Sequence, residues 1–321
     1  MIHVLPSDTK YLSALRMSLG AATAEDVAFV RKQLGTTEQN IQQAVSSLRN
    51  WLNLQPHLPK NIDDRRLERM FINCKCSMER VKTSLDAYFS LKKKFPELLM
   101  NRDPEDADIK KAKDFIKTFS TSPLTTDGLR VTCTLDVAAD PQCYDPLLCY
   151  KLILMWTEVL LAEDYSLGDI IILDLKDFTA SHVLKTSVSL VRSVEIIFKE
   201  AYCRRIKAVH LVNSPKVLDA ILNIAKAALS DKLKQRVITH LPGTETLFDY
   251  VPRELVPDEL GGSAGTAEKL YDAAWKKLSS YRAFFLEQDN YVTDESRRPP
   301  GSRNMSDLYG VEGSFRKLAI D

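Results

Sequence analysis

Glycine is scarce, 11 in 321 residues, and its scarcity excludes a good deal. Neither of the two long apolar strand candidates is followed by Gly-x-Gly-x-x-Gly. No turn is therefore built to bring a pyrophosphate against a helix N-terminus, and a dinucleotide-binding fold is not expected. No P-loop is read in the chain, nor a Gly-x-Ser-x-Gly nucleophile elbow between a strand and a helix. Cysteine is thin as well. Cys74, Cys76, Cys133, Cys143, Cys149 and Cys203 are scattered through a large chain, which suits reduced thiols better than a disulfide framework. Cys74-x-Cys76 has the wrong spacing for a zinc knuckle, and no second Cys or His pair follows at a ligand interval. Neither a metal nor any other cofactor is expected. An excess of charge of one sign is missing too: 44 basic against 43 acidic residues leave +1. Nothing global draws the chain to nucleic acid, and any anion site must come from local clustering. No apolar run nears the roughly 20 residues that span a bilayer. The opening residues MIHVLPSDTKYLSALRM lack the basic start and apolar core of a signal peptide. These absences together describe a cytoplasmic protein.

What remains is an ordinary globular composition, 45% hydrophobic and 27% charged, long enough for one large domain or two modest ones. The first hundred residues read as helices. Thr23 and the pair Thr36 and Thr37 offer helix starts, the latter with capping-box spacing to Gln39. Asp63, Asp64 and Ser77 offer more, and Pro96 a stop. The apolar residues between them recur at helical intervals. Beyond an acidic connection at residues 101–108 the pattern changes. Residues 129–135 alternate as a strand should, residues 147–161 return to a helix, and residues 170–175 form a continuous apolar strand. A helix at 187–201, a strand at 208–212, a short one at 237–239 and a last helix at 268–287 follow. Strands alternating with helices argue for an α/β layer with a mostly parallel sheet.

One stretch, residues 204–236, organises the rest. A buried-type strand runs into Ser214 and Pro215, a helix start. The helix behind them is apolar around most of its girth, with Asp219, Asn223 and Lys226 as its narrow polar stripe. Fifteen residues give a rod of about 22 Å, with cations crowding both ends: Arg204, Arg205 and Lys207 before it, Lys232, Lys234 and Arg236 after it. A core helix with solvated ends is the commoner object of this kind. A cover over an apolar cavity beside an anionic surface is the other reading. Catalytic groups are few. His182, His210 and His240 fall at or near strand ends, where a satisfied structural histidine is commoner than a general base. Asp174, inside an apolar strand, must be paired or hydrogen-bonded, and a structural role across the sheet or a nearby turn suits it best.

Several blocks resemble the CRAL-TRIO lipid-binding family, and within it the branch of alpha-tocopherol-transfer, clavesin and retinaldehyde-binding proteins. They are residues 168–178 (GDIIILDLKDF) with His182 following, residues 206–213 (IKAVHLVN) and residues 232–237 (KLKQRV). Upstream, residues 67–98 are similar to that family's N-terminal helical domain. Downstream, residues 255–262 (LVPDELGG) resemble the block that closes its lipid-binding domain. The resemblance implies an α/β fold: an N-terminal helical bundle (1–95), a mostly parallel-sheet lipid-binding domain with a helical lid (96–265), and a C-terminal helix and tail (266–321). By the same resemblance the pocket is lined by Tyr150, Ile153, Leu154 and Thr157 on one helix. Leu173, Val194, Ile197, Tyr202, Ile206 and Val209 form the other walls, and Leu218, Ile221, Leu222 and Ala225 the lid. Tyr150 and Thr157 would supply the polar contacts. Arg205, Lys207, Lys232 and Arg236 match the branch's phosphoinositide-binding positions.

Four departures stand out. Cys74 replaces an arginine, with Lys75 adjacent, and Cys203 replaces a proline. Ala138 and Ala139 stand where an aromatic precedes Asp-Pro, and Lys226-Ala227-Ala228 replaces a Lys-Pro-aromatic step. Ligand identity is therefore not carried over. The expectation is a non-enzymatic carrier of one hydrophobic molecule (a retinoid, carotenoid, tocopherol or similar lipid), exchanging it at phosphoinositide membranes and meeting endosomal or plasma membrane transiently. The alternative is a lipid-dependent regulatory or trafficking adaptor that takes a protein partner through residues 309–318. An enzyme using His182 or His210 is the most distant reading.

Overall fold

The structure, a computed structural model, describes residues 22–135, 140–214, 223, 226 and 229–300. The lid positions Leu218, Ile221, Leu222 and Ala225, the wall at Ala138 and Ala139, and the tail block 309–318 lie outside the described residues.

Among the described residues four helices build the first half: α1 (Ala24–Leu34), α2 (Glu38–Asn53), α3 (Asp64–Asn73) and α4 (Met78–Lys94). Each starts where a short polar side chain can accept from a free backbone N–H. Thr23 caps α1 in a reciprocal box with Asp26, Asp63 caps α3 and Ser77 caps α4. The cap of α2 is Thr37, which accepts from Asn40, so the box expected to reach Gln39 sits one residue later and lacks its return bond. Leu48, Leu52, Leu67, Met70, Val81, Leu85 and Phe89 bury together as the core of this half. Pro96 stops α4 but also opens a single further turn, Pro96–Leu99.

The second half carries five strands in the order β1-β2-β3-β4-β5. These are β1 (Lys117–Ser120), β2 (Leu129–Leu135), β3 (Gly168–Asp174), β4 (Ile206–Val212) and β5 (Val237–Thr239). Only β1 against β2 is antiparallel; the other pairs are parallel. Helix α5 (Ala107–Ala112) precedes β1, and α6 (Pro146–Glu163) joins β2 to β3. Helices α7 (Ala180–Lys185) and α8 (Val188–Ile196), the latter ending in a π-turn (Ile197–Ala201), join β3 to β4. The C-terminal helix read as continuous is two, α9 (Ala267–Ser280) and α10 (Arg282–Gln288), parted at Tyr281.

Because side chains alternate along a strand, the register sorts the sheet into two faces. Phe119, Val131, Cys133, Ile170, Ile172 and Val212 point one way, into a core shared with Leu247, Val251, Leu255 and Val256 and with Leu270, Tyr271 and Leu278 of α9. Thr118, Thr132, Thr134, Ile171, Leu173, Val209, Leu211 and Val237 point the other way, into a cavity. Gly168 is required where β3 meets β4, since a Cβ there would stand 2.6 Å from the Arg205 carbonyl oxygen.

Candidate functional site: an apolar cavity and a basic cleft

The cavity holds about 280 Å³ between sheet, α6 and α8, some twenty times the roughly 10–15 Å³ that one water needs. Seven of the expected residues stand on its wall: Tyr150, Ile153, Thr157, Leu173, Val194, Ile206 and Val209. Three expected residues turn elsewhere. On α6, Ile153 and Thr157 share a face by their spacing of four, which rotates Leu154 into the core of the helical half. Ile197 opens the π-turn and buries in that same core. The Tyr202 hydroxyl donates to Glu158 Oε1 at 3.0 Å, and its ring meets Tyr88 edge-on. The resemblance put these three on the pocket wall, but they bury against the helical half.

The polar contacts differ from expectation. Thr157 Oγ1 donates to its own helix, to Ile153 O at 2.9 Å. Tyr150 stays protonated through ordinary pH, because burial and then the nearby Cys149 push its hydroxyl up to about 12. The sequence reading missed a hydroxyl band on the antiparallel edge. Thr118 Oγ1 and Thr134 Oγ1 lie 3.0 Å apart, and Ser120 Oγ and Thr132 Oγ1 2.8 Å apart, with Trp156 Nε1 donating to Ser120. Alternation along β2 signals half of that band. The other half needs β1, four residues long and unread in the sequence. At the opposite edge Lys226 Nζ donates to Thr239 Oγ1 at 3.3 Å.

A second cavity of about 550 Å³ opens alongside. Arg205, Lys207, Lys232 and Arg236, each expected at an anion site, all line it, joined by Lys75 and Arg80. The crowding shows in Lys207, whose ammonium is held below its ordinary value by burial and then by Arg205, Arg236, Lys75 and Lys232. Arg205 is likewise lowered by burial and by Arg204, and its buried Nη2 has no hydrogen-bond partner among the described residues. Arg236 Nη1 donates to the Ile206 carbonyl. Glu195, Phe198, Arg204, Ile206 and Leu233 border both spaces, so one thin wall separates apolar from cationic.

Behind that wall lies a buried ionic network. Arg130 donates through Nε and Nη2 to Asp164 Oδ1 (3.0 and 2.9 Å), Arg204 Nε to Asp169 Oδ2 (2.9 Å), and Arg204 Nη2 to Asp164 Oδ2 (3.5 Å). Burial raises the Asp169 carboxyl even against Arg204, whereas Arg130 and Arg204 together hold Asp164 down. Two acids balance two bases.

The catalytic candidates do not converge. His182 Nδ1 accepts from the Thr179 N–H at 3.0 Å, and its ring stacks on Phe178. His210 Nδ1 and His240 Nε2 lie 2.9 Å apart on the sheet face away from the cavity. Asp174 Oδ1 accepts from Asn213 Nδ2 (2.8 Å) and the Lys176 N–H (3.1 Å), a turn-bracing role. Gly261-Gly262-Ser263-Ala264-Gly265 does spell Gly-x-Ser-x-Gly, which the sequence reading passed over. Ser263, however, follows a 3₁₀ turn and its N–H donates to Arg253 O, so it stands on no strand-to-helix elbow. Among the described residues no cluster of three His, Cys, Asp or Glu side chains is placed to hold a metal ion.

Residues 129–262 match the CRAL/TRIO domain, and residues 37–109 match the Pinta-like, UBA domain. The chain carries a CRAL/TRIO domain. It is 28% identical over 276 residues to the Alpha-tocopherol transfer protein-like of Homo sapiens, covering 85% of this chain and 78% of that one. It is 30% identical over 116 residues to Clavesin-1 of Xenopus laevis, 35% of each. The crystal structure of Sfh5 superposes with a TM-score of 0.39 at 14% identity, covering 72% of this chain and 89% of that one, a likeness that carries no argument. As a CRAL/TRIO protein the chain is a lipid-binding or lipid-transfer protein. Among the described residues no helix is long and apolar enough to cross a membrane.

Proposed function

We propose that this CRAL/TRIO protein is a non-enzymatic carrier that holds one long apolar molecule with a small uncharged polar end, and exchanges it at phosphoinositide-bearing membranes. One observation carries the reading: Phe198, Ile206 and Leu233 belong at once to the apolar cavity and to the basic cleft. An anionic head group drawn into the cleft would press on the wall of the cavity itself. The cavity's floor is aliphatic at β3 and β4 and hydroxyl-bearing at β1 and β2, which suits a retinoid, carotenoid, tocopherol or similar molecule better than a free fatty acid. A carboxylate would need a cation on that hydroxyl edge, whereas the basic residues on the described wall are engaged elsewhere, Arg204 by Asp169 and Asp164 and Lys226 by Thr239 at the opposite edge.

Beside the cavity, Val183, Thr186 and Val191 face in while Leu184, 81% exposed, and Val188 face out. Apolar side chains offered to solvent next to a cavity fit a surface that works against lipid. Docking there would be peripheral and transient. Mass spectrometry of solvent extracts from the purified protein tests the first half of the proposal. A stoichiometric apolar molecule is expected; protein that is empty and takes up no retinoid or tocopherol from vesicles refutes it.

A further inference from the structure

The basic cleft also carries a pair of thiols that lipid exchange does not use. Cys74 ends α3, and Cys203 sits between the π-turn and β4 with φ at +48°. Two different halves of the fold meet there, bolted by Asn73 Nδ2 donating to Tyr202 O at 3.2 Å and Ser84 Oγ to Ala201 O at 2.9 Å. Both cysteines line the cleft with Lys75, Arg80 and Arg205, and each is the next residue after a partner in the Asn73–Tyr202 bond.

The two sulfurs are not equivalent. The neighbouring Cys74 thiol, helped by Arg80 against burial, brings Cys203 down to about 7. Cys203 in turn, with burial, pushes Cys74 up. Burial pushes Cys149 up to about 12. Cys203 is thus the more readily ionised of the two, in a cleft that Arg80 and Arg205 also line, the environment that makes a cysteine nucleophilic.

We propose that Cys203 is a hydroperoxide-reactive nucleophile and Cys74 its resolving thiol. The Cys203 thiolate attacks one oxygen of hydrogen peroxide; the O–O bond breaks, a sulfenic acid forms, and hydroxide departs. Cys74 then attacks the Cys203 sulfur, the S–O bond breaks, the S–S bond forms, and the Cys74 proton leaves with the hydroxyl as water. Two thiols are oxidised, one peroxide is reduced, and two waters result once the proton first lost by Cys203 is counted. The bridge ties the helical half to β4 along the wall of the cleft and removes the more acidic thiol from among its cations.

At pH 7 a thiol at about 7 carries about 50-fold more thiolate than one at the ordinary 9.0. An intrinsic nucleophilicity lower by about eight-fold leaves a net gain of about six-fold. The reduced full-length chain is treated with one equivalent of hydrogen peroxide, alkylated, and mapped without reductant. A Cys74–Cys203 link is expected, with exposed Cys143 as the internal control. Cys74→Ser is expected to halt the reaction at a Cys203 sulfenic acid that dimedone traps. Arg80→Gln is expected to slow Cys203 oxidation at pH 7 but not above pH 9, a shift in pH profile that a merely structural arginine would not produce. Should Cys203→Ser fail to fold, that profile still decides the matter. Bridges through Cys76 in preference, no dimedone adduct in Cys74→Ser, or Cys203→Ser consuming peroxide at the unmodified rate would each overturn the assignment.

Discussion

Neutralising the cleft separates its two possible roles. Lys75, Lys207 and Lys232 all line it, and Lys207 is depressed by burial and by Arg205, Arg236, Lys75 and Lys232. Arg236 is best left in place because its guanidinium holds the Ile206 carbonyl. In the triple variant Lys75→Gln, Lys207→Gln, Lys232→Gln, each lost cation removes about 1 kcal/mol of attraction to an anionic lipid surface. The sum of about 3 kcal/mol is an affinity loss of roughly 150-fold. The same three changes relieve like-charge crowding, so the free protein should melt at the same temperature or slightly higher. Co-sedimentation with phosphatidylcholine vesicles, with and without a phosphoinositide, reads the membrane step, and extraction of bound molecules reads the cavity. The expected result is a large loss on phosphoinositide vesicles, weaker salt dependence of what remains, and unchanged ligand content. Unaltered vesicle binding, or ligand content lost in step with it, would refute the division of labour between cleft and cavity.

Val209→Trp fills the cavity from the middle of its floor; extraction should then find no ligand while vesicle binding persists. Gly168→Ala places a Cβ against the Arg205 carbonyl, and a loss of about 1–3 kcal/mol in denaturant titration is expected, along with weaker phosphoinositide binding as β4 shifts. Glu158→Gln leaves buried Arg102 without its carboxylate and weakens the acceptor for Tyr202 and Tyr88, for a cost of about 3–5 kcal/mol read by urea unfolding. Burial, then His240, lowers His210 to about 4. The folded protein therefore keeps it neutral where the unfolded chain would take up a proton. Its contribution is complete above about pH 6.5 and is lost as pH falls from there toward 4, by at most about 3 kcal/mol. His210→Gln should flatten that part of the stability profile, and an unchanged slope would contradict the assignment.

The elements most legible in the sequence are those whose pattern has one cause. Thr23, Asp63 and Ser77 mark helix starts because an N-cap oxygen satisfies a backbone donor wherever the helix packs. The apolar runs of β3 and β4 read plainly because both faces are covered. β1 was invisible: Lys117-Thr118-Phe119-Ser120 is short, and its hydroxyls look solvated until the cavity they face is known. Leu154, Ile197 and Tyr202 face the core of the helical half instead of the cavity. For Leu154 the reason is that α6 is covered on nearly every side, which leaves little to tell cavity from core; Ile197 and Tyr202 lie in the π-turn and at its end, where a regular helical stripe does not apply. All four expected cleft cations do meet, since Arg205 and Lys207 flank the start of β4 and Lys232 and Arg236 precede β5, its parallel neighbour. Arg80 comes from α4 of the other half, and no local pattern could supply it.

The ionic network behind the cleft explains how so many cations can be held together. Arg204 is adjacent to Arg205, and its guanidinium is fixed by Asp169 at the start of β3 and by Asp164 at the end of α6. Asp164 is itself held by Arg130 and Ser166. A buried pair of this kind returns little net stability, because desolvating its charges offsets most of their attraction. What it supplies is position: the turn that precedes β4 is fixed before any ligand arrives, so Arg205 and Lys207 need not be ordered at the moment of binding. If that is the network's use, Asp169→Asn should weaken phosphoinositide binding by more than its effect on melting would suggest. Ligand content should fall less than vesicle binding: Asp169 and Arg204 reach the cavity wall, but most of its floor, as at Ile171, Leu173 and Val209, is aliphatic. A variant that loses stability and vesicle affinity in proportion would mean that the network only holds the fold.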